Sequence, residues 1–550
     1  MNVGGFGHRA PLLWLLLPFM AGLMAGRLLD LPAPPLLGAA AIAVLLALLP
    51  AARSGAPARW TWPLAMGGAV ALAAAAYYHL RLNRLPDWGG LPPREARLTL
   101  HVTQVFSASN GRMDRVSGLA VVTEAAAPLR ELVDQRLYFS LALPPRADPP
   151  LRSAKVTAVG VVESLPRQPA EGGFGAYLAD SGVNFKFSRG RLLGEAAPPS
   201  RYQRFCHEAA LKFERILGAG ISDQPALAAI YRAMMMGQKQ DMSEEQRTLF
   251  LHSGTMHLFA ISGLNITAIA LSVQILLALL RVPRLAAAAA GLTTLWLYVD
   301  ITGASSSAVR AFVMCALLVV AFPLRRPANP LATLTASALL ILLFDPMQLF
   351  GASFQMSYGI VAVLLLLGGP LARALQARWA LFTSLPEPTW RWYHRRLDEL
   401  WRGFLAMVGI GLASALVSTI SGIQFFGLFT PGSLAINLVM IPISTFVIGA
   451  GFISLLSGLI GFLPGSVLFN HAGILLVWFM DRLLRVALAV PGVYEAARFR
   501  GAWMGPAILA VLLAACLAGY AWRWRRKRGG FWAPFALTIL LIALGVRLGG

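Results

Sequence analysis

The polar residues best suited to chemistry lie together in one otherwise apolar stretch, residues 253–266, which contains His257, Ser262 and Asn265. Polar side chains are costly inside a membrane, so they mark a substrate path or a reaction site. Gly263 lacks a side chain, and Ser262 and Asn265 can bond carbonyls freed where a helix unwinds beside water. Alternatively, these small residues serve only tight helix packing with interhelical hydrogen bonds.

A second polar cluster, residues 300–310, forms a turn that leads into a helix. Gly303 and Ser305 lie in the turn, and Arg310 lies about one helical turn further on. Backbone amides at a helix start, with an arginine beside them, suit a phosphate group. Alternatively, Arg310 extends its side chain to the membrane interface.

The third cluster, residues 425–437, predicts an outer mouth formed by aromatic residues and a proline turn. Phe425, Phe426 and Pro431 begin it, and Asn437 follows inside the next helix. Aromatic residues at such positions are also typical of the belts that anchor membrane proteins at the interface.

Signatures of enzymes are largely missing from the sequence. It contains neither G-x-x-x-x-G-K-[ST] nor H-E-x-x-H, so we expect no ATPase and no metal-dependent nuclease. The three cysteines lie in separate segments and favour no metal site. His257 with Ser262 is the nearest pair for a serine hydrolase, but no G-x-S-x-G elbow accompanies it. We therefore predict no enzyme, no cofactor and no bound metal.

The elements that position these residues are predicted to be membrane helices. Hydrophobic residues make up 57% of the 550 residues and charged residues only 13%, which does not fit a water-soluble surface. Apolar stretches near the length of about 20 residues that spans a bilayer recur at 12–29, 62–78, 256–280, 309–322, 503–522 and 531–546. The sequence predicts a polytopic α-helical membrane protein of about 12–13 transmembrane helices, with one extracytoplasmic β-rich insert of the OB type.

The insert is recognised by alternation of apolar and polar residues, which replaces continuous hydrophobicity. Five strand-like runs suit a small barrel of the OB type, at residues 98–106, 113–123, 135–143, 155–163 and 183–188. The predicted domains are about three helices in 1–85, the insert in 86–200, amphipathic interfacial helices in 201–253, and about ten helices in 254–550. Residues 434–490 leave the helix number open, because prolines and glycines could divide them.

The net charge of +22 follows largely from topology. Membrane proteins concentrate Lys and Arg in cytoplasmic loops. If the N-terminus is cytoplasmic, the insert and the C-terminus lie outside, and the short outside loops 301–307, 345–352 and 421–433 contain no Lys or Arg. The excess charge is therefore no independent indication of a nucleic-acid partner.

Residues 236–237, 253–258 and 260–265 (MG, SGTMHL and AISGLN) resemble the central motif of the ComEC family of competence DNA-uptake channels. Further matches follow in the family's order: 302–305 with 309–311, 345–346 with 354–358, and 431–432 with 437–438 and Pro442. Residues 172–178 (GGFGAYL) resemble the end of the family's extracytoplasmic OB-like domain. The matches cover roughly residues 90–450.

The resemblance implies a channel in the bacterial inner membrane that passes single-stranded DNA into the cytoplasm during natural transformation. It implies a path that includes His257, Ser262, Gly263, Asn265, Arg310, Gln355, Ser357 and Asn437. It implies an outer mouth with Gly303, Ser305, Phe425, Phe426 and Pro431. DNA contacts in the insert are expected at Phe106, Tyr138, Phe174, Tyr177, Lys186 and Arg189, although aromatic residues at strand spacing also suit a barrel core.

The implied partners are single-stranded DNA, membrane lipids, an extracytoplasmic DNA receptor, a separate nuclease and a cytoplasmic ATP-driven motor. Two departures from the family's pattern stand out. Asn265 occupies a position where the family usually has histidine, and no C-terminal metallo-β-lactamase-like domain is expected in this chain. A carrier for a smaller anionic or lipid-linked solute is the main alternative, and a membrane-embedded hydrolase is a more distant one.

Overall fold

The computed structural model describes residues 10–29, 31–54, 61–81, 92–106, 115–144, 148–166, 174–261, 263–321, 329–525 and 530–548. The chain forms two compact units. The first unit comprises Met1–Glu208 and Pro327–Gly351, and the second comprises Ala209–Arg326 and Ala352–Gly550.

Helices make up most of the described chain. They are α1 Leu13–Leu28, α2 Ala33–Ser54, α3 Thr61–Arg81, α4 Phe174–Asp180, α5 Arg201–Gly218, α6 Pro225–Met236, α7 Glu244–His252, α8 Gly263–Leu279, α9 Arg284–Ile301, α10 Ser306–Ala321, α11 Pro330–Phe344, α12 Ala352–Val363, α13 Gly369–Arg378, α14 Trp392–Ser421, α15 Ser433–Leu459, α16 Leu463–Leu488, α17 Met504–Ala521 and α18 Trp532–Gly545.

Several helices are long and apolar enough to cross a membrane. Within the described residues, six spans meet this description: Trp62–Arg81, Ala352–Arg378, Trp392–Phe426, Ser433–Leu459, Leu463–Leu488 and Met504–Ala521. Six shorter apolar helices accompany them. The predicted multi-pass membrane protein is confirmed. The region whose helix number the sequence left open forms α15 and α16, which are separated at residues 460–462, while Pro442 stays inside α15.

The insert is a closed five-stranded barrel in the first unit. Its strands are β1 Arg94–Phe106, β2 Arg115–Ala125, β3 Arg136–Ala142, β4 Lys155–Ser164 and β5 Phe185–Ala197, in the order β1-β2-β3-β5-β4. Closure comes from the antiparallel pairing of β1 with β4, and β3 with β5 is the one parallel pair of this barrel. Alternate residues point inward and fill the core. The predicted OB-like insert is confirmed.

A buried polar centre holds the core of the second unit together. The Asn470 Oδ1 atom accepts hydrogen bonds from the Tyr231 hydroxyl (3.3 Å) and the Ser454 hydroxyl (2.7 Å). Its amide nitrogen donates to the carbonyls of Ile216 (2.8 Å) and Ala219 (2.9 Å), at the end of α5. Carbonyls at a helix end need such donors when they are buried. As a result, α6, which supplies Tyr231, is packed inside the unit.

Local signals in the sequence explain where the helices before the polar stretch begin and end. Gly237 has φ of 74° and ends α6, because glycine adopts this left-handed conformation without strain. Ser243 and Gln246 form a reciprocal capping box at the start of α7. These signals limit the connection between α6 and α7 to residues 237–243, and α7 then leads directly into residues 253–266.

A three-stranded sheet ties three loops of the second unit together. Strands β6 Leu428–Phe429, β7 Glu495–Phe499 and β8 Val546–Leu548 follow α14, α16 and α18, and β7 lies in the centre. The C-terminal ends of those three helices therefore lie at one end of the unit. Just before β6, residues Gly422–Phe426 form a π-helical turn, a feature that is frequent at functional sites.

Candidate functional site

The polar stretch 253–266 interrupts regular helix in the second unit. Between the end of α7 and the start of α8, the chain forms a turn and the 3₁₀ segment Met256–Phe259. The Ser253 and Thr255 side chains are fully buried, and their hydroxyls lie 2.7 Å apart. The Ser253 hydroxyl donates to the Phe250 carbonyl (3.0 Å), which satisfies one carbonyl of the last turn of α7.

Asn265 joins α8 to the end of α6. Its side chain is 2% exposed, and its amide nitrogen donates to the Met234 carbonyl at 3.0 Å. The Tyr298 hydroxyl of α9 donates to the neighbouring Met235 carbonyl. Because the last carbonyls of a helix have no intrahelical donor, these two side chains fix the end of α6 beside α8 and α9. The hydrogen bond to Met234 gives Asn265 a structural role, and its role in a conducting path stays a prediction.

The pair of His257 and Ser262 considered for a hydrolase includes one residue outside the described part of the chain, so it stays a prediction. The His257 side chain is exposed, and its Nδ1 lies 3.2 Å from the Gly254 carbonyl. Ser262 lies outside the described residues. Within the described part of the chain, no group of three His, Cys, Asp or Glu residues is placed to hold a metal ion.

Arg310 is buried between α10 and α12. Its side chain is 1% exposed, and its Nη2 donates to the carbonyl (2.7 Å) and the hydroxyl (2.6 Å) of Ser353. The Ser306 hydroxyl lies 3.3 Å from the same hydroxyl. The alternative that Arg310 extends to the interface is wrong for this structure, because the guanidinium is buried and donates hydrogen bonds to Ser353. Gln355 and Ser357 follow on α12 and are half-buried.

Contacts bring the three polar clusters together at residues 254–261. The Ser307 hydroxyl of the second cluster donates to the Ile261 carbonyl at 2.9 Å. Gly254 lies against the third cluster, since a Cβ built on it would be 2.8 Å from the Ser433 Cβ and 3.2 Å from the Thr430 hydroxyl. The residues between α7 and α8 therefore contact both other clusters.

The remaining residues of the predicted outer mouth occupy turns. Gly303 has φ of 91°, and Ser305 lies 3.5 Å, hydroxyl to hydroxyl, from Ser307. Phe425 and Phe426 belong to the π-helical turn, where Phe426 is 48% exposed, and Pro431 is exposed in the loop before α15.

Asn437 lies one turn inside α15. Its buried side-chain oxygen accepts no hydrogen bond from the described residues. A buried amide oxygen of this kind is costly unless a further donor reaches it. Asn437 is therefore the clearest open acceptor among the predicted path residues.

The aromatic residues of the barrel divide into a core set and a surface set. Phe139, Phe185 and Phe187 are buried in the core. Four rings outside the core form what we call the aromatic patch, with successive centroid distances of 6.3, 5.1 and 6.0 Å along Phe106, Tyr138, Phe174 and Tyr177.

The aromatic patch presents open ring faces beside basic residues. Phe174 is 53% exposed and Tyr177 is 45% exposed, and partial burial raises the pKa of the Tyr177 hydroxyl above its usual value. Lys186 is the direct partner of Tyr138 in the β3–β5 pairing, so both side chains leave the same face of the barrel. Arg189 is exposed further along β5.

Three residues that hold the site were not singled out from the sequence. Tyr298, Ser307 and Ser353 act through contacts with residues at least 43 positions away. Ser353 directly precedes the motif 354–358, which was the one local signal available for it. Ser307 lies inside the second polar cluster, where no role of its own was predicted for it, and no periodicity or spacing identifies Tyr298.

Substitution of Gly254 by alanine should lower the free energy of unfolding by about 1–3 kcal/mol, because φ of 71° is strained for any other residue and the methyl group meets Ser433. Thermal unfolding of the purified protein measures this. Gly263→Ala is the matched control, since no described atom lies within 4 Å of a Cβ at that position. Equal stability of the two variants would contradict the geometry.

Comparisons with known proteins match the part of the chain that contains the three polar clusters. The sequence model of the family described as "Competence protein" matches residues 234–527, which are 294 of the 550 residues. "ComE operon protein 3" of Bacillus subtilis (strain 168) is 30% identical over 142 residues, which cover 26% of this chain and 18% of that relative. No solved structure matches significantly. All three polar clusters lie inside the matched residues.

Proposed function

The chain belongs to the Competence protein family, as its resemblance to the ComEC channels predicted, and from this membership we propose that it is an inner-membrane channel that takes up single-stranded DNA during natural transformation. The family match over residues 234–527 carries this proposal. The same residues contain the interrupted polar stretch and both clusters that contact it.

Polar groups and irregular backbone inside the second unit support a conducting path. A polyanion that crosses an apolar slab needs polar or positive groups along its way. Arg310 supplies a positive charge beneath Ser353, and Asn437 supplies a buried carbonyl oxygen that accepts no hydrogen bond from the described residues. Irregular backbone at membrane depth is tolerated where it lines a cavity or is buried in protein, and residues 253–261 are of that kind.

The aromatic patch supports a single strand as the substrate. Proteins that bind single strands stack successive bases on aromatic rings and track the backbone with positive charge. Phe174 and Tyr177 are i and i+3 on α4, which places both rings on one side of that helix, 6.0 Å apart. Lys186 and Arg189 supply the positive charge on β5.

The proposed orientation follows from the loops. The N-terminus is cytoplasmic and the barrel extracytoplasmic, because this arrangement leaves the short outside loops 301–307, 345–352 and 421–433 without Lys or Arg. A separate cytoplasmic ATP-driven motor is proposed as the energy source, and the absence of a phosphate-binding loop from this sequence is consistent with it. A DNA receptor and a nuclease acting in trans complete the proposed set of partners.

Deletion of the gene in a transformable host should abolish both transformation and arrival of labelled DNA in the cytoplasm, and the intact gene supplied in trans should restore both. Electroporation of the same DNA into the deletion strain is the control for recombination, and it should still give recombinants. Normal uptake in the deletion strain would overturn the proposed function. Loss of growth on an anionic solute with normal DNA uptake would favour the carrier alternative.

A further inference from the structure

Two arginines lie directly opposite each other on neighbouring strands of the three-stranded sheet. Arg498 on β7 and Arg547 on β8 are direct partners in the antiparallel pairing, and both side chains are exposed. Neither forms an ion pair with a carboxylate of the described residues. Like charges directly opposite each other on one face destabilise a pair of strands. Something other than strand stability must therefore favour arginine at both positions.

Protection of a sheet edge does not account for the pair. Charged residues on an edge strand prevent unwanted pairing with other chains, and this explains Arg547, because β8 is an edge strand. Arg498 lies on the central strand, where β8 pairs with it directly and β6 pairs with Glu495 and Ala496. Edge protection requires a charge on β8 and leaves a second like charge directly opposite it unexplained.

Topology does not account for the pair either. The sheet joins the loop after α14 to the loops after α16 and α18, so all three lie at one end of the unit. In the proposed orientation this is the outer end, where Lys and Arg are normally depleted. The loop 421–433 follows that rule and contains none, whereas Arg498, Arg500 and Arg547 depart from it.

The sheet adjoins the polar stretch of the candidate site. The Tyr494 ring, directly before β7, stacks on the His252 ring at the end of α7, with centroids 4.1 Å apart. The Gly432 backbone N–H donates to the Val493 carbonyl at 3.2 Å. The Arg500 backbone N–H donates to the Gly545 carbonyl (2.9 Å), which places Arg500 beside the start of β8.

We propose that Arg498 and Arg547, with Arg500 beside them, form a phosphate-binding lip at the outer mouth, where they contact the backbone of the incoming single strand. Two guanidinium groups on one face bind an anionic backbone that neutralises both, which relieves the repulsion between them. Exposed rings at the same end, Phe426 and Tyr494, offer surfaces on which bases stack. This inference rests on the proposed function.

The test is binding of a fluorescein-labelled single-stranded oligonucleotide to the full chain in phosphatidylcholine nanodiscs. The double variant R498Q/R547Q should bind about tenfold more weakly or worse, as expected for loss of hydrogen bonds to charged groups. The slope of log affinity against log salt should fall by about 1.4, or about 0.7 for each phosphate contact with a single strand. The thermal midpoint without DNA should stay the same or rise, because a like-charge pair is removed.

The matched control is R523Q/R525Q, which removes two arginines from the opposite end of α17 and should leave affinity and slope unchanged. If the wild-type protein binds and the lip variant binds equally well, only the lip is overturned. If the wild-type protein binds no single strand, the proposed function falls with it. A binding defect that requires phosphatidylglycerol in the nanodisc would assign the arginines to lipid headgroups and overturn the proposal, and so would a lower thermal midpoint.

Discussion

Replacement of Phe174 and Tyr177 together by alanine should weaken binding of single-stranded DNA by the full-length protein by about 2 kcal/mol or more, a factor of about 30. The expected effect is large because each stacked base contributes about 1–3 kcal/mol, and the two exposed rings are the open faces of the aromatic patch. The fold should change little, because neither ring belongs to the barrel core.

The measurement is fluorescence anisotropy at fixed salt, with thermal unfolding as a check on the barrel. Loss of the ring contacts with Tyr138 and Phe106 should cost about 0.5–1.5 kcal/mol of stability for each contact, and the protein should remain folded at the binding temperature. Tyr202→Ala removes an aromatic ring of similar exposure on α5 and is the matched control. Unchanged affinity in the double variant would remove the barrel from the DNA path.

Arg310→Ala should lower transformation by about tenfold or more. A hydrogen bond to a charged group contributes about 1.5–3 kcal/mol, and each 1.4 kcal/mol added to the barrier for strand passage slows it tenfold. The same change should lower the free energy of unfolding by about 1–3 kcal/mol, because it removes the two hydrogen bonds that join Arg310 to Ser353 at the start of α12.

Two further variants separate conduction from stability. Arg310→Lys keeps the charge but loses the paired donation to Ser353, and it should retain more transformation than the alanine variant. Ser353→Ala removes only the hydroxyl partner and should cost about 0.5–1.5 kcal/mol of stability with transformation near normal. Transformation would be scored at equal membrane abundance of each variant. If Arg310→Ala then transforms normally, Arg310 serves only to join α10 to α12.

Elements with a strong repeating pattern were predictable because their burial is periodic. Apolar runs of bilayer length identified the helices, and alternation identified the five strands of the barrel. Adjacent residues on a strand point to opposite faces, so Tyr138 and Phe139 could not both be core residues. The structure puts Phe139 inside and Tyr138 in the aromatic patch.

The three-stranded sheet had no such signal. Strand β6 has two residues, β8 has three, and β7 reads EAARF, which alternates too briefly to stand out. Their pairing joins loops that are separated by about one helix hairpin each, so only the packing of the helices brings them together. The opposed pair Arg498 and Arg547 follows from that pairing and could not be seen in the sequence.

By itself, the sequence determined that this protein is a membrane protein with an OB-like insert, and its ordered motifs determined the family. Hydrophobicity, periodicity and local motifs are properties of residues close together in the sequence, so they can be recognised from the sequence alone. Only the tertiary structure decided that Ser307 and Gly254 bring three clusters together, that Arg310 lies beneath Ser353, and that four of the barrel's rings lie outside its core. Those facts depend on contacts between residues distant in sequence, and such contacts are fixed by how whole helices and strands pack.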